Sequence, residues 1–153
     1  MRNVRPAEGC GTRGSTWWER KSNGDVREYI DVSAFDDLGE IGPIGIWGGV
    51  IARSVDGRLC SLAVVELDPG AVVAEHQHPN EQLGMVVHGS VTFRVAGEQR
   101  VLGPGGAWRI PPATPHEVHA GPDGAVVVDV FAPARDDWAA LERSPARAPR
   151  WPS

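Results

Sequence analysis

Glycine and proline interrupt this chain too often for long helices to form. They supply 19 and 13 of its 153 residues. An interior glycine costs a helix about 1 kcal/mol relative to alanine, and a proline about 3. The segments between the breaks are short, apolar and rich in valine, which outnumbers leucine 19 to seven. β-Branched side chains pack well on a pleated surface. Candidate strands are Ile44–Ser54, Leu59–Leu67, Ala71–His78, Gln82–His88, Val91–Val95, Gln99–Leu102, Ala107–Ile110, His116–His119 and Ala125–Phe131, with an isolated one at Glu28–Val32. Asp56-Gly57 suits a tight hairpin turn, and Gly89 marks a further turn beside His88. Pro111-Pro112 cannot donate to a ladder and belongs at a strand end. Short strands at this spacing predict an all-β sandwich or small barrel.

One helix is expected, with Asp136 capping Asp137–Arg143 and with Trp138 and Leu141 three apart on one face. The tail from Ser144 carries Pro145, Pro149 and Pro152 and reads as extended or disordered. The first ~35 residues show little periodicity. Their Trp17–Trp18 pair suits an arm that docks on a partner subunit.

The charge balance removes some functions. Fifteen basic and 20 acidic residues give a net charge of −5, so no basic excess exists for phosphates, and nucleic acid is not the expected partner. No apolar run approaches the ~20 residues that cross a bilayer, and none follows Met1 as a signal peptide would. Cys10 and Cys60 are too few for a disulfide framework. A cytoplasmic setting is expected.

All five histidines lie between positions 76 and 119. His76 and His78 are two apart, so on a strand they project side by side, as two ligands of one metal do. Gly70 precedes His76 by six residues, Glu81 and Gln82 follow His78 by three and four, and Gly89 comes next. Downstream, Gly105 precedes Pro111 by six and His116 follows Pro111 by five. These two motifs, in this order, resemble those of the cupin superfamily across roughly residues 44–135.

The resemblance implies a double-stranded β-helix, the jelly-roll-like cupin barrel, over 44–135. It leaves an N-terminal arm at 1–43, and a short helix and Pro/Arg-rich tail at 136–153. It implies one divalent transition metal per subunit (Zn, Mn, Ni or Fe(II)) held by His76, His78, His116 and a fourth ligand. Gln82 is expected as the fourth, with Glu81 turned to the opposite face by strand alternation; a register slip of one would exchange them. An all-neutral ligand set leaves the cation more of its charge and favours non-redox Lewis-acid chemistry. His88 and His119 are read as surface histidines.

In Ala125–Phe131 the alternation puts Val127, Asp129 and Phe131 on one face. An aspartate in an apolar strand needs a partner, and Arg135 is the nearest cation in sequence. The segment from Asp129 to Trp138 resembles the closing segment of small cupins similar to the uronate ring-opening proteins of pectin and alginate breakdown and to polyketide-cyclase-like cupins. That resemblance gives Asp129 an acid/base role and Arg135 a substrate-anchoring role. Trp47, Trp108 and Phe131 are expected in the core or pocket wall. The expected function is metal-dependent isomerisation, ring-opening, lyase or cyclisation chemistry on a small polar or polyketide-like metabolite, in a homodimer. The alternatives are an O2-dependent dioxygenase, which Glu81 as ligand would favour, and a metabolite-binding cupin without turnover.

Overall fold

The computed structural model describes residues 34–152. The expected strand at Glu28–Val32, the Trp17–Trp18 pair and Cys10 lie outside the described residues. The chain from 44 onward forms eight strands: β1 (Ile44–Trp47), β2 (Val50–Asp56), β3 (Ser61–Leu67), β4 (Val72–His76), β5 (Glu81–Val95), β6 (Glu98–Leu102), β7 (Ala107–Ile110) and β8 (His116–Ala132). All pair antiparallel in the order β1-β2-β3-β8-β5-β6, with β4 also on β8 and β7 also on β5. Valine and isoleucine dominate the buried positions, including Val50, Val65, Val86, Val91, Ile110, Val118 and Val127.

Several expected breaks are not breaks. Gln82–His88 and Val91–Val95 form the single strand β5, and His116–His119 and Ala125–Phe131 form the single strand β8. The pairing of β5 with β8 runs from Glu81↔Ala132 to Val95↔His116, with bulges at Val86/His88 and Gly89/Val91. A bulge bends a strand while the ladder continues, so each strand serves both halves of the barrel. Gly89 takes φ +70°, and a Cβ there would lie 2.1 Å from the Gly124 carbonyl oxygen. Its positive φ makes a bulge, and His88 is an exposed residue beside that bulge.

The expected strand Ile44–Ser54 is two strands reversed at Gly48-Gly49, where Gly49 has φ +72°. The Asp56-Gly57 turn is looser than expected: Gly57 N–H bonds the Cys60 carbonyl at 2.9 Å, and four residues separate the paired Asp56 and Ser61. The expected helix is one 3-10 turn, Asp136–Ala140, with Arg135 rather than Asp136 at the cap position and no side-chain cap bond. Its Trp138 is buried against Phe131, ring centroids 5.3 Å apart.

The tail is extended, and it is docked. Arg147 offers its carbonyl to Arg53 Nη2 at 3.1 Å, and Arg150 donates from its backbone N and its Nε to Glu66 at 3.2 and 3.1 Å. Arg53 and Glu66 form an ion pair beneath it, 0% and 3% exposed. Burial alone raises the Glu66 carboxyl pKa, but bonds from Arg150 and the charge of Arg53 hold it below the usual range.

Candidate metal centre

Three histidines reach one point inside the barrel from different segments. His76 ends β4, His116 begins β8, and the two pair across the strands. His78 lies two residues beyond β4 in the loop before β5. Ring centroids are 4.2 Å apart for His76–His116, 5.0 Å for His78–His116 and 5.9 Å for His76–His78. One ligand atom from each lies within 4.8 Å of the others.

The local backbone decides which nitrogens face inward. His76 Nδ1 bonds the Ala74 carbonyl at 2.9 Å, His78 Nδ1 that of Asn80 at 3.0 Å, and His116 Nδ1 that of Thr114 at 2.8 Å. A carbonyl oxygen only accepts, so each Nδ1 carries the proton and each Nε2 keeps its lone pair. Burial lowers the pKa of His116 to about 4, helped by the neighbouring charges of His76, His78 and Arg135. Burial, then Arg135, also lowers that of His78. Both rings are therefore neutral at pH 7, which is the ligating form.

Gln82 completes a fourth side. It is buried and lines the cavity, whereas Glu81 is exposed on the opposite face. Its Oε1 lies 3.1 Å from His78 Nε2. With the His78 proton on Nδ1, two acceptors face one another there. Converging acceptors with no proton between them fit a cation. Three imidazoles and an amide oxygen suit a borderline divalent ion.

The far wall of the cavity carries the other polar groups. Asp129 is 4% exposed, and burial raises its pKa to about 6 against bonds from Gln82 and Trp108 and the charge of Arg135. Arg135, the expected ion-pair partner of Asp129, makes its bonds elsewhere. Asp129 Oδ1 accepts from Gln82 Nε2 at 2.7 Å and from Trp108 Nε1 at 3.1 Å, while Arg135 bonds Asp137. Arg135 still lines the same cavity as the histidines, Gln82 and Asp129. That cavity measures about 340 Å3, near the lower end for small-molecule sites. Trp47 stands at its rim, 40% exposed and 5.5 Å from the His76 ring, and Phe131 forms a wall. Trp108 is not on the wall. It sits behind Asp129 with its ring against Phe93. His119 is exposed, away from the cluster.

Asn80 was not among the residues singled out from sequence. It is buried, accepts the His78 Nδ1 proton, and donates from Nδ2 to the Pro133 and Ala134 carbonyls at 2.6 and 3.3 Å. It ties the His78 loop to the segment that carries Arg135. Its signal was its place two residues after a histidine that needs a backbone acceptor.

The cupin domain matches residues 63–131, and the chain is 31% identical to KdgF from Halomonas sp. over 69% of this chain and 98% of that one, with a TM-score of 0.64. This chain belongs to the cupin family. An RmlC-like cupin from Shewanella frigidimarina superposes with a TM-score of 0.65 at 27% identity, covering 70% of this cupin and 96% of that chain. The pectin degradation protein KdgF of Dickeya dadantii is 29% identical over 116 residues, 74% of this chain and 99% of its own length. The histidines that carried the sequence resemblance are the ones gathered at the mouth of β4 and β8.

Proposed function

We propose that this cupin is a metal-dependent isomerase that opens the ring of a small unsaturated uronate. One observation carries the reading: Asp129 and Arg135 line the same small cavity as the three histidines and Gln82. The likeness to the pectin degradation protein KdgF of Dickeya dadantii supports the substrate class, because pectin is a polymer of uronate. A cavity of about 340 Å3 suits a single sugar acid.

His76, His78 and His116 would hold the metal through Nε2, and Gln82 through Oε1. Bound there, a divalent ion supplies a Lewis acid that polarises a substrate oxygen. Arg135 anchors the carboxylate, its guanidinium held over the Phe131 and Trp138 rings at 4.9 and 4.4 Å. Both protein donors to Asp129 sit on Oδ1, so Oδ2 is the oxygen that handles the proton.

Opening the ring is an internal redistribution. The anomeric hydroxyl loses its proton to Asp129 Oδ2, and the bond from the anomeric carbon to the ring oxygen breaks, leaving an aldehyde and an enolate. The enolate takes that proton back from Asp129 at carbon and becomes a ketone, which restores the carboxylate. No atom is gained or lost, so no co-reactant is needed. An oxygen-dependent reaction leaned on Glu81, and its exposed position gives that reading no support.

The test is incubation of metal-loaded protein with a monomeric unsaturated uronate. Loss of the conjugated alkene absorbance, with aldehyde and ketone signals rising by NMR, is expected. Unchanged substrate after loading with Zn, Mn, Ni and Fe(II) in turn would sink the proposal.

A further inference from the structure

Trp108, Gly84 and Asp129 lie in one row across β7, β5 and β8, with Gly84 in the middle. The two outer side chains meet above the glycine. A Cβ on Gly84 would lie 2.2 Å from Asp129 Oδ1 and 2.6 Å from Trp108 Cε2. Only glycine lets the indole N–H reach Asp129 Oδ1 at 3.1 Å. The same Oδ1 receives Gln82 Nε2, and the other end of that amide, Oε1, points to His78.

A glutamine amide can turn over and exchange its oxygen and nitrogen at little steric cost, and only the oxygen is a metal ligand. A carboxylate oxygen accepts and never donates, so Asp129 takes the amide nitrogen and rejects the amide oxygen. An indole N–H donates and never accepts, so it holds that same Oδ1 as the acceptor facing Gln82.

We propose that Trp108, seated over Gly84, is a positioning residue for the metal centre: through Asp129 it fixes the Gln82 amide with Oε1 toward the three histidines. The inference rests on the reading that Gln82 ligates the metal. Trp108 touches neither metal nor substrate. It is not part of the cavity lining and packs against the core beside Asp129, on the same face of the sheet.

Trp108→Phe removes the N–H and keeps a ring against Phe93. In the full chain stripped of metal and titrated with Mn(II), it is expected to weaken binding about tenfold, the low end for outer partners of metal ligands. Its Co(II) absorption spectrum should differ from that of the unmodified protein. Gln82→Ala should also weaken binding, and Trp108→Phe added to Gln82→Ala should change nothing more. Thermal melting of the metal-free variants checks folding. Gly84→Ala, whose methyl displaces Asp129 from below, is the second route and should give the same non-additive loss.

Full affinity in Trp108→Phe, with Gln82→Ala weakened, would overturn the positioning role and leave the metal reading standing. Additive losses would overturn it too, since Trp108 would then act without Gln82. Full affinity in Gln82→Ala would overturn the ligand assignment and the positioning role together.

Discussion

Arg135 grips Asp137 with two bonds, Nε to Oδ1 at 2.9 Å and Nη2 to Oδ2 at 2.8 Å, inside the cavity that both residues line. The arrangement engages the guanidinium fork before any substrate arrives. Asp137 is 63% exposed and Arg135 12%, so water screens the pair from one side and it is worth on the order of 1 kcal/mol. The Phe131 and Trp138 rings would hold Arg135 in place without it. Asp137→Asn should therefore free the fork and remove a like charge facing an anionic substrate. KM for the uronate is expected to fall by roughly two- to fivefold, about 0.5–1 kcal/mol, with kcat little changed. A rise in KM would mean that Asp137 positions Arg135 rather than competing for it.

Asp129→Asn should separate binding from chemistry. The asparagine oxygen still accepts from Trp108 and Gln82, so the amide keeps its direction and the metal stays bound. The proton carrier is gone, and turnover should drop by about 10^2–10^4. Metal analysis beside kcat reads both. Full activity in the metal-loaded variant would end the acid/base role of Asp129.

The site was legible in the sequence where one strand decides it. His76 and His78 share a face by spacing, Gln82 and Glu81 part by alternation, and Asp129 stands out among valines. It was less legible where register decides. Proximity along the chain suggested Arg135 as the partner of Asp129, yet Gln82 and Trp108, 47 and 21 residues away, hold it. They meet because β5 runs between β7 and β8. Gly89 shows the same limit. A positive φ suits a turn and a bulge equally, and the Gly124 carbonyl pressed against it selects the bulge. The prolines of the tail indicated extended chain. Its docking depends on Arg53 and Glu66, on strands far back in the sequence.

The rate should carry the titration of one buried carboxylate. Asp129 must be ionised to take a proton, and burial puts its pKa at about 6. The value of kcat/KM is expected to rise as pH increases through about 6 and to level above it. The metal depends on the histidines as a set. Burial holds His116 neutral well below pH 6, its pKa lowered to about 4, and lowers that of His78, so metal content is read separately from the rate. Metal content after equilibration at each pH, set beside the rate profile, checks this. Simultaneous loss of metal and rate near pH 6 would assign the activity change to the ligands.

The docked tail should contribute stability that depends on one carboxylate. Arg150 and Arg53 hold the Glu66 pKa below its ordinary value, so the unfolded chain takes up a proton at Glu66 before the folded one does. The stabilisation is complete above the ordinary carboxyl range and fades as pH falls through the folded value. Deleting residues 144–153 removes the Arg150 bonds and the Arg147 carbonyl from a buried pair. After the entropy released by freeing the tail, about 1–3 kcal/mol should be lost at pH 7, lowering Tm by roughly 2–10 °C. In acid the full-length and shortened proteins should melt closer together, since Glu66 is then neutral in both. Arg150→Ala should reproduce part of the loss and the same pH trend. Equal Tm values at pH 7 would show that the tail covers the Arg53–Glu66 pair without stabilising it.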